Sequence, residues 1–349
     1  MFVFDGRFMR VGRHDGISRF SAELLKELSM LRKVTVMLSE PGQLAHLPQG
    51  VDHFFECKPT SIMELGLARR LNRRGVTLLY SPMQTTGKLG RKFKVVLTLH
   101  DLIYYQFRKP PQEFSLVVRA LWRLYHLSYM PARALLKGAD GLVTISETSK
   151  QLIRENKLFS GPMQVVYNSA ELIGAPASGS KSRTICYMGS FMPYKDVETL
   201  VRAAGLGNWE LNLLSQVTPT RRQQLEKLAE ENQAKVLFHN GVSDEEYAEL
   251  LSRSFALVSA SRAEGFGIPL IEAMRLGVPV VCTDSSIFRE VGGEAALYFE
   301  AGNSTELSSK LSELQGAWDR VSKASKANAE RFSWSQSAKE LNRFLESVS

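Results

Sequence analysis

Two glutamates, Glu264 and Glu272, stand with seven residues between them, and the first of those residues are Gly265-Phe266-Gly267. Pro269 is placed where a helix can start without wasting an N–H, and Gly277 followed by Pro279 ends it. Unpaired N–H groups at such a helix start, approached past two glycines, favour an anion such as phosphate. A carboxylate beside that anion would repel it, so both glutamates are matched to neutral hydroxyls, which sugars and riboses supply. The same spacing suits a solvated loop acid and a surface helix acid, and spacing alone does not separate the two readings.

Lys195 closes a second junction of this kind, Gly189-Ser190-Phe191-Met192-Pro193-Tyr194-Lys195, after the apolar run Thr184–Met188. A lysine there can neutralise a diphosphate as a point charge, and a surface lysine fits equally well. Val95–Leu99 runs directly into His100-Asp101, a polar pair at the carboxyl end of a strand, where open α/β sheets place ligand contacts. A satisfied structural histidine is the competing reading. MFVFD, then Gly6, Gly12 and Gly16, then a helix from Ile17 with Ser18 as its cap, repeat the strand, glycine loop and helix order without a Walker or dinucleotide fingerprint. Ser146 ends the run from Gly141 and caps a helix beginning near Thr148.

The elements that must hold these residues alternate strand and helix twice over. Short β-branched runs at 34–38, 77–80, 95–99, 141–146 and 165–167 are expected as strands, with 41–59 irregular and a helix over 62–72. A polar, glycine-containing stretch over 171–181 separates them from a second series at 184–188, 209–214, 236–238, 255–258, 278–282 and 296–299. With 349 residues, two domains are expected. At 44% hydrophobic and 23% charged the composition is that of a globular chain. No apolar stretch reaches about 18 residues, so no membrane span is expected, and MFVFDGRFMR is too short and too charged for a signal peptide. Cys57, Cys186 and Cys282 are isolated, which argues for reduced thiols in a cytoplasmic protein with neither a disulfide frame nor a zinc site.

The net charge of +8 is uneven: residues 1–172 carry 25 Lys+Arg against 14 Asp+Glu, and the remainder 19 against 22. An anionic partner for the first half is a nucleic acid, a lipid surface or a phosphorylated substrate. No nucleic-acid signature is present. The stretch 114–137 alternates Leu, Val, Trp and Tyr with Arg119, Arg123, Arg133 and Lys137, as helices in a membrane interface do, although a Trp/Leu stripe also serves as core. Arg69, Arg70, Arg73 and Arg74 form a second basic group, and its placement beside the first on one face is what a membrane surface requires.

The string from Glu264 to Glu272, with Gly-Phe-Gly, Pro-Leu, Glu-Ala-Met and Gly-x-Pro-Val-Val, resembles the donor-binding signature of retaining GT-B glycosyltransferases of family 4. Gly16-Ile17-Ser18-Arg19-Phe20 resembles the Gly-Ile-Gly-Arg-Tyr of members that use nucleotide-mannose donors, and Thr98-Leu99-His100-Asp101 is similar to their Thr-x-His-Asp. Lys195 matches the lysine of their Gly-Arg or Gly-Thr/Ser, four residues, Lys pattern, with Ser190 where many carry Arg. Phe332-Ser333-Trp334 and the following helix resemble a terminal helix that crosses back to the first domain.

The resemblance implies two Rossmann-like, doubly wound parallel-sheet domains facing across a cleft: 1–172 completed by 333–349, a linker at 173–182, and 183–332. It further implies that Lys195, Ser190 and the N–H groups of Gly265, Phe266 and Gly267, with Gly16, hold the donor diphosphate. Glu264 and His100 would hold the donor sugar; Gly241, Val242 and Glu272 the nucleoside; Arg19, Asp101 and Ser146 would lie on the acceptor side. His100, Glu264 and Lys195 are the expected catalytic residues. No Asp-x-Asp is present, so a metal-independent, retaining hexosyl transfer is expected, without a cofactor. GDP-mannose is the expected donor, with a glycan or lipid-linked acceptor of cell-envelope polysaccharide or glycolipid synthesis, at the cytoplasm or the inner face of its membrane. UDP-glucose, UDP-galactose or UDP-N-acetylhexosamine fit the same scaffold. A nucleotide-sugar epimerase and a non-catalytic sugar-binding scaffold are the readings from other classes.

Overall fold

All described strand pairings are parallel, in two separate sheets, in a computed structural model that describes residues 1–12, 16–84, 87, 89–110, 115–171 and 174–349. Phe114, at the head of the basic stretch, and residues 172–173 lie outside the described residues. The chain divides into two units, residues 1–169 with 333–349, and residues 170–332.

Unit 1 runs β1 (Phe2–Asp5), α1 (Gly16–Leu31), β2 (Thr35–Leu38), β3 (Asp52–Phe55), α2 (Leu67–Arg73), β4 (Leu78–Ser81), β5 (Lys94–Thr98), α3 (Ile103–Gln106), α4 (Leu116–Tyr125), α5 (Met130–Leu136), β6 (Gly141–Thr144), α6 (Glu147–Glu155) and β7 (Met163–Val165). Its strands lie in the order β3-β2-β1-β4-β5-β6-β7. Central strands such as Val95-Val96-Leu97-Thr98 are buried on both faces, which is why they read as continuous apolar runs rather than alternating ones. Leu67 and Leu71 of α2 and Ala132 and Leu136 of α5 share one buried cluster on a single face of this sheet.

Unit 2 runs β8 (Thr184–Tyr187), α7 (Val197–Gly207), β9 (Glu210–Leu213), α8 (Pro219–Glu231), β10 (Lys235–Phe238), α9 (Asp244–Arg253), β11 (Ala256–Ser259), α10 (Ile268–Leu276), β12 (Val280–Thr283), α11 (Ser286–Gly292), β13 (Ala296–Phe299), α12 (Ser304–Gln315) and α13 (Trp318–Ala329). The sheet order is β10-β9-β8-β11-β12-β13, so the chain reverses its direction of winding between β8 and β11. Trp209 stacks on Phe255 at 4.8 Å, and Trp318 Nε1 donates to the Phe255 carbonyl at 2.8 Å, which satisfies the buried polar edge of Trp318. The chain ends in α14 (Trp334–Val348), which belongs to unit 1 and packs on α1, with Trp334 against Phe20 and the Ser337 hydroxyl donating to the Tyr167 carbonyl at 2.7 Å.

Several expectations change. The 171–181 stretch is not a free linker from residue 174 onward: Ala177 N–H donates to the Leu276 carbonyl and Ser178 N–H to that of Ser252, both at 2.8 Å. Asp52–Phe55, expected as irregular, is the edge strand β3, paired only with β2. Ser18 is not a cap but lies inside α1, buried, where its hydroxyl accepts the Arg10 N–H at 2.8 Å. The 114–137 stretch breaks into α4 and α5, with Pro131 opening the second helix. None of the residues of α4 is buried, so its apolar stripe is not core.

Candidate functional site

In unit 2 the loops that leave the carboxyl ends of β8 and β11 meet at the switch in strand order, the position at which open α/β sheets leave a crevice for a ligand. Lys195 comes from the first loop and Glu264 from the second. Their side chains are 12% and 16% exposed, and Lys195 Nζ stands 2.5 Å from Glu264 Oε1. A second tie runs beside it: Arg262 donates through Nε and Nη2 to Asp196 Oδ2 at 3.1 and 2.8 Å, and its N–H donates to the Tyr194 carbonyl. Adjacent residues on one loop thus carry charges opposite to those on the other, in two rungs. Lys195 also lies 5.4 Å from the centre of the Tyr194 ring. Burial, followed by the Glu264 charge, raises the Tyr187 phenol well above its ordinary value, so that hydroxyl stays protonated and donates to the Ser190 carbonyl at 2.7 Å.

The Glu264 loop ends on Gly267 at φ +99°, a left-handed conformation that side chains other than glycine adopt at a cost, and a Cβ there would meet Phe288 at 3.1 Å. The turn brings α10 in with Pro269 in its first turn, and the first N–H groups of a helix, which lack intrahelical acceptors, favour an anion. Phe266 is buried edge-on against Phe332 at 5.6 Å, which pins the loop from behind. Glu272, which its spacing also allowed as a surface acid, is 5% exposed. A carboxylate so nearly excluded from water has a cost that a surface acid does not carry. Gly277 at φ +81° ends the helix. Gly241 and Val242 follow β10 and line a different depression of about 320 Å³ with His239 and Glu246. His239 Nε2 meets Asn212 Oδ1 at 2.6 Å. The structure therefore brings Lys195 and Glu264 into contact, and places Gly241 and Val242 in a depression that neither residue lines.

In unit 1, His100 follows β5 and lines a cavity of about 160 Å³ with Gln84, Asp101, Tyr104, Tyr105 and His126. Its Nε2 lies 2.8 Å from the Pro82 carbonyl, which can only accept, so the proton is on that nitrogen. Phe20 packs edge-on against the imidazole at 5.1 Å, fixing the ring plane. Burial lowers His126 below its ordinary value, against a backbone hydrogen bond to Trp122. Asp101 Oδ1 accepts the Ile103 N–H at 3.0 Å, and Ser146 is buried, its hydroxyl capping α6 through the Ser149 N–H. Both therefore have structural work in the turns they occupy. Gly16 and Arg19 open α1 and do not line this cavity. A buried network that the sequence did not announce supports the loop bordering the cavity. Arg7 bridges Asp5 and Glu64, and Glu64 Oε1 accepts the Gly87 N–H at 3.0 Å. Burial opposes the guanidinium charge there, but the two carboxylates outweigh it and raise Arg7 above its ordinary value.

Among the described residues no cluster of three or more His, Cys, Asp or Glu is arranged to hold a metal, and no helix is long and apolar enough to cross a membrane.

With that geometry in place, residues 169–331 match the family model described as "Glycosyl transferases group 1". The chain is similar to the serotype-specific mannosyltransferase WbdA of Escherichia coli, 36% identical over 107 residues, which are 31% of this chain and 13% of that protein. It is also similar to the O-antigen chain mannosyltransferase RfbU of Salmonella typhimurium, 28% identical over 194 residues and 54% of each chain. It thus spans about an eighth and about half of the length of these curated relatives. Among solved structures, the sucrose-phosphate synthase of Thermosynechococcus elongatus superposes with a TM-score of 0.76 at 17% identity, covering 99% of this chain and 98% of that one. HepE of Anabaena, solved with UDP and glucose, gives 0.73 at 18% identity and 99% of both chains. The chain has the GT-B fold, two Rossmann-like parallel-sheet units, and residues 169–331 of it are similar to the glycosyl transferases group 1 family.

Proposed function

We propose that the protein is a glycosyltransferase that moves a hexose from a nucleotide sugar to a glycan or lipid-linked acceptor in cell-envelope polysaccharide synthesis, with mannose from GDP-mannose as the favoured pair. The observation that carries the reading is the meeting of Lys195 and Glu264 at the strand-order switch of unit 2, beside the N-terminus of α10. The O-antigen mannosyltransferase relatives support the choice of sugar. Lys195 and the first N–H groups of α10 take the departing diphosphate, preorganised charge being the largest single aid to such a step. Glu264 accepts hydrogen bonds from sugar hydroxyls, and Glu272 from those of the ribose. His100, with its proton on Nε2, is a donor suited to a sugar hydroxyl.

The transfer is retaining and needs no metal. The bond from the anomeric carbon to the phosphate oxygen breaks, the bond to the acceptor oxygen forms on the same face, and the acceptor proton passes to the departing phosphate. The basic unit 1 contacts an anionic membrane surface on which a lipid-linked acceptor is presented. The test is to incubate the protein with GDP-mannose, UDP-glucose and UDP-N-acetylglucosamine and to follow thermal stability and nucleotide release, since a ligand bound only by the folded state raises its melting temperature. Stabilisation by GDP-mannose over the uridine sugars is expected. Stabilisation by none of them, or interconversion of UDP-N-acetylglucosamine into an epimer, overturns the proposal.

A further inference from the structure

Where does the positive charge of unit 1 sit? Strands in a parallel sheet all enter from one edge, and the turns entering β4, β5, β6 and β7 carry Arg74, Lys92, Lys137 and Lys157. That is the edge opposite His100. Part of this charge is already matched: Arg70 and Arg74 face Glu56, and Arg91 and Lys94 face Asp140. The end of the edge under α5 and α6 is different. There a cavity of about 560 Å³ is lined by Arg133, Lys137, Arg154 and Lys157 over an apolar floor that includes Leu136 and Phe159, and no acidic residue lines it. Arg133 is fixed as a wall, donating to the carbonyls of Asn156 and Lys157, just past the end of α6, at 2.7 and 3.2 Å. Arg154 and Lys157 are exposed and make no ion pair among the described residues. Arg154 and Lys157, so placed, repel one another, and an anion between them and Arg133 relieves that repulsion.

A second observation identifies the anion's carrier. α4 shows solvent an apolar row: Leu116 is 80% exposed, Val117 69%, Leu121 61% and Leu124 65%. Met130, at the start of α5, is also 64% exposed, and its sulfur lies 3.8 Å from Nη1 of Arg133, a residue that lines the cavity. Exposed leucines in such a row ordinarily mark a surface that is covered. A free phosphate would answer the cations and leave α4 unexplained. An anionic phospholipid answers both, with its phosphate in the cavity and its acyl region against α4. We propose that the Arg133–Lys157 cavity binds the phosphate headgroup of an anionic phospholipid while α4 lies in the interface. The proposal deepens the membrane contact named above, and its test does not depend on glycosyl transfer.

The full chain is floated with vesicles of phosphatidylcholine alone and of phosphatidylcholine with phosphatidylglycerol, for the native protein, the double variant Arg154→Gln with Lys157→Gln, and the double variant Leu121→Ser with Leu124→Ser. Circular dichroism and GDP-mannose binding are recorded for each as controls on folding. Native protein floats with the phosphatidylglycerol vesicles and not with phosphatidylcholine alone. The Gln variant partitions about thirty-fold less, the loss of two basic contacts at an anionic surface, and the Ser variant is also released while retaining its fold and its GDP-mannose binding. Equal flotation of native and Gln variant overturns the cavity, and absence of native flotation overturns both cavity and surface. Inorganic phosphate that stabilises the native protein but not the Gln variant, without any dependence on vesicle charge, assigns the cavity to a free anion and overturns the lipid.

Discussion

Glu264→Gln is expected to bind nucleoside diphosphate more tightly than the native protein while transferring sugar poorly. The Lys195 ammonium is neutralised by Glu264 at 2.5 Å, with both side chains largely out of solvent. A phosphate charge that reaches Lys195 comes within about 6 Å of that carboxylate, and two unit charges at this distance repel by about 3 kcal/mol at an effective dielectric near 20. Discounted for the residual exposure of the pair, about 2 kcal/mol remains, or about thirty-fold in Kd. The amide keeps the shape of the side chain and removes the repulsion, so GDP alone gains that factor. GDP-mannose gains the same relief but exchanges hydrogen bonds to a charged acceptor, about 1.5–3 kcal/mol each, for neutral ones. Its affinity is therefore level or reduced, and the ratio of GDP to GDP-mannose affinity rises. Titration calorimetry of both ligands against both proteins reads this directly. If GDP binds the Gln variant no more tightly than the native protein, Lys195 does not hold the diphosphate beside Glu264, and the assignment of both residues fails.

Three further outcomes follow, one from the same loops and two from the buried thiols. Arg262→Met removes the tie to Asp196, in which the Arg262 side chain is half exposed and that of Asp196 10% exposed. Stability should fall by no more than about 1 kcal/mol, whereas GDP affinity drops several-fold because the Lys195 loop loses its second rung, and Arg262→Lys restores part of it; unchanged GDP affinity in calorimetry removes the positioning role. The thiols give a pH test: burial pushes Cys186 up to about 12, against a hydrogen bond to Ser254, and burial also carries Cys282 upward. A folded-state value above the unfolded one gives stability that is complete below the unfolded thiol value and is lost as pH rises toward the folded one, so the urea midpoint should decline from about pH 9 upward. A thiol reagent at neutral pH should modify Cys57 alone until the protein is unfolded; rapid modification of all three would contradict the burial.

What the sequence made legible was whatever depends on near neighbours. Buried parallel strands declare themselves as short apolar runs, so Val95–Thr98, Ala256–Ser259 and Val280–Thr283 were found. Edge strand β3 did not, because Asp52-His53-Phe54-Phe55 pairs on one side only and three of its four residues are exposed. α10 was bounded closely, since Pro269 and Gly277 punctuate it by chemistry that is local. The Asp196–Arg262 tie was hidden: its partners are 66 residues apart, and only the side-by-side placement of β8 and β11 brings them together. Asp5, Arg7 and Glu64 escaped for the same reason, although a charge at the end of the buried strand FVFD is a signal that could have raised the question. The burial of Glu272 was not decidable from spacing, because it depends on which face of α10 meets the sheet.

The return of α14 to unit 1 has a consequence for the order of events in synthesis. The surface of α1 that carries Phe20 is covered by Trp334 and its neighbours, and those residues leave the ribosome only after residues 170–332. All of unit 2, residues 170–332, is translated while unit 1 still lacks its covering helix. The second-made unit is thus the first that can finish folding, and the first-made one must wait with an apolar flank open, the kind of transient exposure that makes a partly folded chain prone to aggregate.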